Sequence, residues 1–339
     1  NGERKMKVTF VVATEQALLI ARKASTWVVE EHLRGQSPES LAVDARHPAR
    51  VYCGTWGRGL WRSEEAGQSW QPAGPGLAHH EITAVAVSPT EPGVVYAGTE
   101  PSAVFRSEDG GETWTELTGL GSLPSAPYWS FPPRPETHHV RWIEPDPIVA
   151  GRVFVAIEAG ALVRSLDRGQ TWLDRVPGGP LDTHTATSHP LAPGRVYSAA
   201  GDGYFESEDA GESWSRQMDG LQHRYLVGVA VDPADPDRVI VSAASGPGVA
   251  YRPARAEAYL YRKAGRRPFE LAMAGLPAGR GTMASRLAAH PEAPGVIYAA
   301  NNHGVFRSPD AGQSWKRIEI PWPRDAFAHG LEALICLPE

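Results

Sequence analysis

Cysteine is scarce in this chain: its 339 residues include only Cys53 and Cys336, on different expected strands and outside any Cys-x-x-Cys spacing. That excludes a disulfide-stapled scaffold and a thiolate metal cluster, so both read as buried free thiols. Long apolar runs are missing as well. The stretch 8–20 is broken by Thr14, Glu15 and Gln16, and reads as two strands rather than a signal-peptide core or a membrane span. Met6-Lys-Val-Thr reads as a natural start, and the expected location is cytoplasmic. Basic charge is not in excess either: 33 Lys and Arg face 39 Asp and Glu, a net −6, with no basic stripe. Nucleic acid and anionic membrane surfaces are therefore not expected partners. Also absent are a phosphate-binding Gly-x-x-x-x-Gly-Lys-Ser/Thr loop, a dinucleotide fingerprint, His-Glu-x-x-His and Gly-x-Ser-x-Gly, which removes the sequence grounds for those enzyme classes.

What the chain has is glycine (35) and proline (30), and a repeated turn. Five copies are nearly identical: Ser63-Glu-Glu-Ala-Gly-Gln-Ser-Trp70, Ser107-Glu-Asp-Gly-Gly-Glu-Thr-Trp114, Ser165-Leu-Asp-Arg-Gly-Gln-Thr-Trp172, Ser207-Glu-Asp-Ala-Gly-Glu-Ser-Trp214 and Ser308-Pro-Asp-Ala-Gly-Gln-Ser-Trp315. Two are worn down, ending at Trp27 and Phe269. The aromatic residues are separated by 43, 44, 58, 42, 55 and 46 positions, a period that means a radial array of small sheets. Each unit reads as four short strands in an antiparallel meander, and six full units begin near Leu41, Ile82, Val140, Thr185, Leu226 and Ala284. The N-terminus supplies three strands, and the C-terminal segment 330–337 supplies the fourth. The expected fold is all-β: a seven-bladed propeller of four-stranded antiparallel blades, one domain over residues 1–339, closed by the C-terminal strand joining the N-terminal blade.

The turn resembles the Asp-box, or BNR, repeat found in sialidases, sortilin-type receptors, xyloglucan-cleaving enzymes and a photosystem assembly factor. The resemblance implies the fold and leaves the function open, because those relatives do different things on similar scaffolds. The Asp and Ser side chains are explained by bonding to the turn's own backbone, so they are not catalytic candidates.

In such a meander the repeated turns lie on one face, the bottom, and the second-to-third-strand loops and blade connections on the other, the top. His47, His189 and His290 fall in bottom turns and read as caps. The other nine of 12 histidines map to the top. His80, His139, His184, His223 and His329 come from five blades at nearly equivalent places around the central channel. Imidazole is the commonest transition-metal ligand, so His80, His139, His184 and His329 are the expected ligands of a divalent ion: Fe, Zn, Mn or Cu. His223, Tyr225 and Glu158 are the candidate acid–base groups, with Glu100, Asp182 and Asp202 on the same face. Two insertions open there, 120–137 and 245–258. They bring Tyr128, Trp129 and Arg252 beside Trp56 and Arg141 as candidate contacts to a small anionic or sugar-like substrate. The expected function is a metal-dependent lyase, hydrolase or oxygenase. A non-catalytic platform binding a protein partner is the alternative, with Trp56, Tyr128 and Trp129 as anchors. A sialidase-like glycosidase, with Arg58, Arg141 and Arg286 on a substrate carboxylate, is the weaker third reading.

Overall fold

The computed structural model describes residues 8–328 and 330–338. Short strands separated by Gly- and Pro-rich turns cannot bury their faces alone, and they do so here by stacking as seven blades around a channel. Blade 1 is Leu331–Pro338, Val8–Thr14, Leu18–Lys23 and Trp27–His32, in that order from the channel outward, so the two ends of the chain share one sheet. Blades 2 to 7 have innermost strands Pro38–Asp44, Ile82–Val87, Val140–Pro145, Thr183–His189, Tyr225–Asp232 and Arg286–Ala289. Blade 4 has three strands, and a single bridge between Arg164 and Leu173 stands for the fourth. Among the described residues no helix is long and apolar enough to cross a membrane. Cys53 and Cys336 are buried and free, as expected.

The repeated turn is tied to itself as its composition requires. Ser107 Oγ accepts from Gly111 N–H (2.8 Å) and donates to Asp109 Oδ1 (2.7 Å). Asp109 in turn accepts from the Thr113 amide and hydroxyl. Asp167, Asp209 and Asp310 repeat the pattern. The awkward dihedral falls on two successive residues, not on glycine alone. Ala210 (φ 57°) precedes Gly211 (φ 80°), and Ala311 (φ 53°) precedes Gly312 (φ 83°). The tryptophans wedge between blades: Trp114 donates to Ala73 O and Trp315 to Ala272 O, each in the preceding blade. His189 and His290 cap bottom turns, Nδ1 accepting from Leu191 N–H and Glu292 N–H.

These bonds hold the box carboxylates below their usual range. Asp209 is held down to about 2, chiefly by the Ser213 hydroxyl, and Asp109 is lowered chiefly by Thr113. A carboxyl depressed in the folded state stabilises it above its unfolded value of about 3.9 and loses that contribution as pH falls toward the folded value. The urea midpoint should therefore fall between about pH 4 and pH 2, and less steeply in Asp209→Asn. An equal slope in that variant would refute the assignment.

Six of the seven innermost strands carry a β-bulge on the top side, seen as a skipped residue in the register with the second strand. The skipped residues are Glu332, Glu39, Thr83, Arg141, His184 and Val227 in blades 1 to 6. A bulge breaks the period-2 alternation and re-aims a side chain, and bulges concentrate at barrel rims and active sites. Here they supply much of the chemistry of the channel mouth.

Candidate functional site

A cavity of about 380 Å³ sits at the top of the channel. Four bulge residues, Glu39, Thr83, Arg141 and Glu332, contribute to its wall, together with Glu158, His139 and Arg286. Below it the channel shrinks to a space of about 80 Å³ walled by Leu41, Val85, Ile143, Val229 and Leu287. Aliphatic side chains so placed narrow the channel beneath the polar mouth.

Arg141 is the centre of the charge pattern. Its side chain is only 13% exposed, yet its Nε has no hydrogen-bond partner among the described residues. Its nearest acceptors are Glu158 Oε2 at 3.4 Å and Glu39 Oε1 at 3.8 Å. Burial opposes its charge, but Glu158 and the neighbouring carboxylates raise its pKa above the ordinary value. Arg286 is spent differently: Nε donates to Leu331 O (2.8 Å) and Nη2 pairs with Glu332 (3.3 Å).

The two carboxylates beside Arg141 titrate in opposite directions. Burial, reinforced by repulsion from Glu332, pushes Glu39 up to about 8. Burial works the same way on Glu158 but is outweighed by the His139 hydrogen bond and by Arg141, which hold it down to about 2. Near neutral pH one is therefore a proton donor and the other an anion. Paired carboxyl groups driven apart in this way are the arrangement acid–base catalysis uses.

His139 lies between two carboxylates, Nε2 at 2.8 Å from Glu158 Oε2 and Nδ1 at 3.3 Å from Glu100 Oε2. His184 is wholly buried; Nδ1 is 2.6 Å from Leu226 O, and Nε2 faces Tyr225 OH (3.2 Å), Asp182 Oδ2 (3.7 Å) and Glu158 Oε1 (3.9 Å). Tyr225 also bonds to Tyr251, which lines the cavity, and burial raises the pKa of its phenol. Burial, with Glu158 and Asp202 adding repulsion against the pull of His184, raises the pKa of Asp182.

The insertions build the roof. In the first, Leu120, Leu123 and Trp129 are buried in the core, and Trp129 Nε1 donates to Ser125 Oγ. Its tip carries Phe131 and Arg134 over the cavity. Arg134 makes a two-pronged pair with Glu100 (3.0 and 2.7 Å), its guanidinium lying 4.7 Å from the Trp56 ring and 4.8 Å from the Phe131 ring. The second insertion supplies Tyr251.

Of the residues singled out in the sequence, His139, His184, Glu158, Tyr225, Arg141 and Trp56 come together here. Among the described residues, His184 alone of the expected imidazole ligands stands in a cluster of metal-ligating side chains. His80 is exposed, its carbonyl accepting from Gly59 N–H at the blade 2 rim. His329 lies outside the described residues. His223 is turned toward its own blade, 2.6 Å from Tyr261 OH and stacked on Tyr259 at 4.2 Å, so it does not reach the cavity as an acid–base group. Trp129 is a core residue. Tyr128 and Arg252 are exposed but do not line the cavity, and neither does Arg58. Sequence reasoning missed Glu39 and Glu332, because both owe their aim to bulges. It also missed Tyr251 and Arg134 as cavity residues, although both stand in insertions it marked.

No family model and no curated protein matches the chain. Solved structures do. An ancestral GH74 enzyme is 16% identical with a TM-score of 0.66; the match covers 85% of this chain and 39% of that one. YCF48 bound to D1 peptide is 17% identical, TM-score 0.58, covering 84% and 83%. The WD40 propeller domain of Doa1 is 11% identical, TM-score 0.59, covering 93% and 90%. At these identities the likeness is one of fold. The chain spans well under half the length of the GH74 enzyme.

Proposed function

We propose that the channel-mouth cavity binds a small, sugar-sized anion and transforms it by acid–base chemistry, as a hydrolase or lyase. The observation that carries this reading is Arg141: a nearly buried guanidinium that makes no hydrogen bond among the described residues, held in a polar cavity. Unsatisfied donors in such places are costly, and a bound anion relieves the cost. Glu39 is the proton donor in this reading, and Trp56, Phe131 and Tyr251 are the flat apolar surfaces against which a sugar ring packs. GH74 glycosidases share the scaffold, which makes the chemistry compatible with the fold and no more than that. A divalent ion (Fe, Zn, Mn or Cu) belongs to the same proposal as a Lewis acid at the rim.

Binding of the anion requires Glu39 to carry its proton, since an ionised Glu39 would both repel the ligand and occupy Arg141. D-Glucuronate should therefore bind one to one in calorimetry, D-glucose should not, and affinity should fall as pH rises through about 8. Glu39→Gln, a donor at every pH, should remove that fall. Equal binding of the two sugars, or a pH profile unchanged by Glu39→Gln, would contradict the proposal.

A second reading, a docking platform for a protein partner, has one observation of its own. Tyr128 is 74% exposed on the top-face insertion, and one structurally similar propeller is YCF48 bound to a peptide. Tyr128→Ala would weaken such a complex and leave glucuronate binding unchanged.

A further inference from the structure

We infer that Glu158 Oε1, Asp182 Oδ2 and His184 Nε2 form a binding site for one divalent first-row metal ion at the rim between blades 4 and 5. The inference shares Glu158 with the cavity but does not depend on the anion reading.

The three donor atoms lie within 4.8 Å of one another. The partners of each side chain leave those atoms facing one point. Glu158 Oε2 is hydrogen-bonded with His139 (2.8 Å) and faces Arg141 Nε at 3.4 Å without a hydrogen bond, and Oε1 accepts no hydrogen bond among the described residues. Asp182 spends Oδ1 on the Ala159 amide (2.9 Å), and Oδ2 likewise accepts none. The short contact of His184 Nδ1 with Leu226 O (2.6 Å) needs the proton on Nδ1, so the Nε2 lone pair points at the two carboxylates. A backbone carbonyl that fixes the tautomer of a ligating imidazole is the usual outer support of a metal-bound histidine. Among the described residues, Nε2 has one hydrogen bond, from Tyr225 OH at 3.2 Å.

Two further facts favour a cation there. A Cβ on Gly201 would stand 1.9 Å from Asp182 Oδ2, so glycine at 201 leaves the space that lets this carboxylate turn toward His184. The local charge is also one-sided. Asp202 sits behind Asp182, close to the Asp182 and Leu181 amides (3.3 and 3.4 Å), and no Lys or Arg pairs with Asp182 or Asp202 among the described residues. Arg141 lies on the far, Oε2 side of Glu158. Two carboxylates and one imidazole suit Mn²⁺, Fe²⁺ or Zn²⁺, and leave positions for water or a ligand oxygen; a soft ion such as Cu⁺ finds no sulfur ligand here. The donor set replaces the four-imidazole ring, retaining His184 alone.

The test uses tag-free full-length protein stripped with EDTA. Mn²⁺ binding is followed by loss of the free-ion spin-resonance signal, and Zn²⁺ uptake by equilibrium dialysis and plasma mass spectrometry. One ion per chain is expected. Asp182→Asn should weaken binding by at least about 100-fold at an unchanged unfolding midpoint. His80→Ala should leave it unchanged, and Tyr225→Phe should retain or tighten it by freeing Nε2. No stoichiometric uptake of either ion, uptake by Asp182→Asn equal to wild type, or loss in His80→Ala would overturn the inference. Glucuronate titration of the EDTA-stripped protein reports on the anion site separately, so failure of one proposal is not read as failure of the other.

Discussion

Replacing Lys263 with methionine is expected to lower the unfolding free energy by about 3 kcal/mol, the low end for removing one partner of a buried ion pair, since Glu206 keeps Arg195. The reason lies in a paired exchange between blades 5 and 6. Elsewhere, an arginine of one blade reaches the repeated turn of the next: Arg62 donates to Gly110 O, Arg164 to Ala210 O and Arg22 to Ala66 O, all at 2.6 Å. In blade 5 that register position holds Glu206, opposite Tyr197 as Arg62 is opposite Tyr52. In blade 6, Lys263 takes the place of the turn serine, opposite Val239 as Ser207 is opposite Val196. Here the blade-to-blade contact is a Lys263–Glu206 pair, with side chains 2% and 4% exposed. Tyr204 OH and Arg195 complete the shell of Glu206. The double variant Glu206→Gln, Lys263→Met should recover most of the loss, because the pair is replaced by neutral residues and Arg195 keeps Asp237 as a partner. Urea unfolding followed by tryptophan fluorescence measures both. A single-variant loss under about 1 kcal/mol would mean that the pair is not what joins these blades.

That exchange could be read from the sequence only in outline. The repeat shows Tyr-Phe-Glu-Ser where four other blades have Arg before the Ser, and a Lys where those blades have Ser. Knowing that the two anomalies meet requires the blade-to-blade stacking. The fold itself was legible, because turn spacing and strand alternation are local and repeat seven times. The bottom-face caps were legible for the same reason. The site was legible only in part. His139, His184, Glu158 and Arg141 were placed at the channel mouth, but the bulges at Glu39, Arg141, His184 and Glu332 leave no mark in an alternating pattern. Strand starts accordingly came out shifted, Pro38 for Leu41 and Thr183 for Thr185. Treating equivalent positions as convergent put His80 and His223 in a ring they do not join. The ring stacking of His223 on Tyr259 is a side-chain preference that spacing does not encode.

The second large effect is on ligand binding. Arg141→Gln should weaken D-glucuronate binding by about 30- to 1,000-fold, the range for removing one partner of a desolvated charged pair, about 2–4 kcal/mol. The fold should survive, because Glu158 keeps its His139 bond and Glu39 is already pushed toward its neutral form. Arg141→Lys should recover only part of the affinity, since an ammonium keeps the charge but loses the planar fork that grips a carboxylate at two points. Arg286 is a poorer substitute, its Nε held by Leu331 O and its Nη2 paired with Glu332.

The central claim is that Arg141 holds an anion in the mouth of the channel, and calorimetric titration tests it most directly. D-Glucuronate and D-glucose are titrated into wild-type protein and Arg141→Gln at pH 7. The account predicts one-to-one binding of glucuronate alone to the wild type, and its loss in the variant. No binding of glucuronate to the wild type, or equal binding to both proteins, would contradict it.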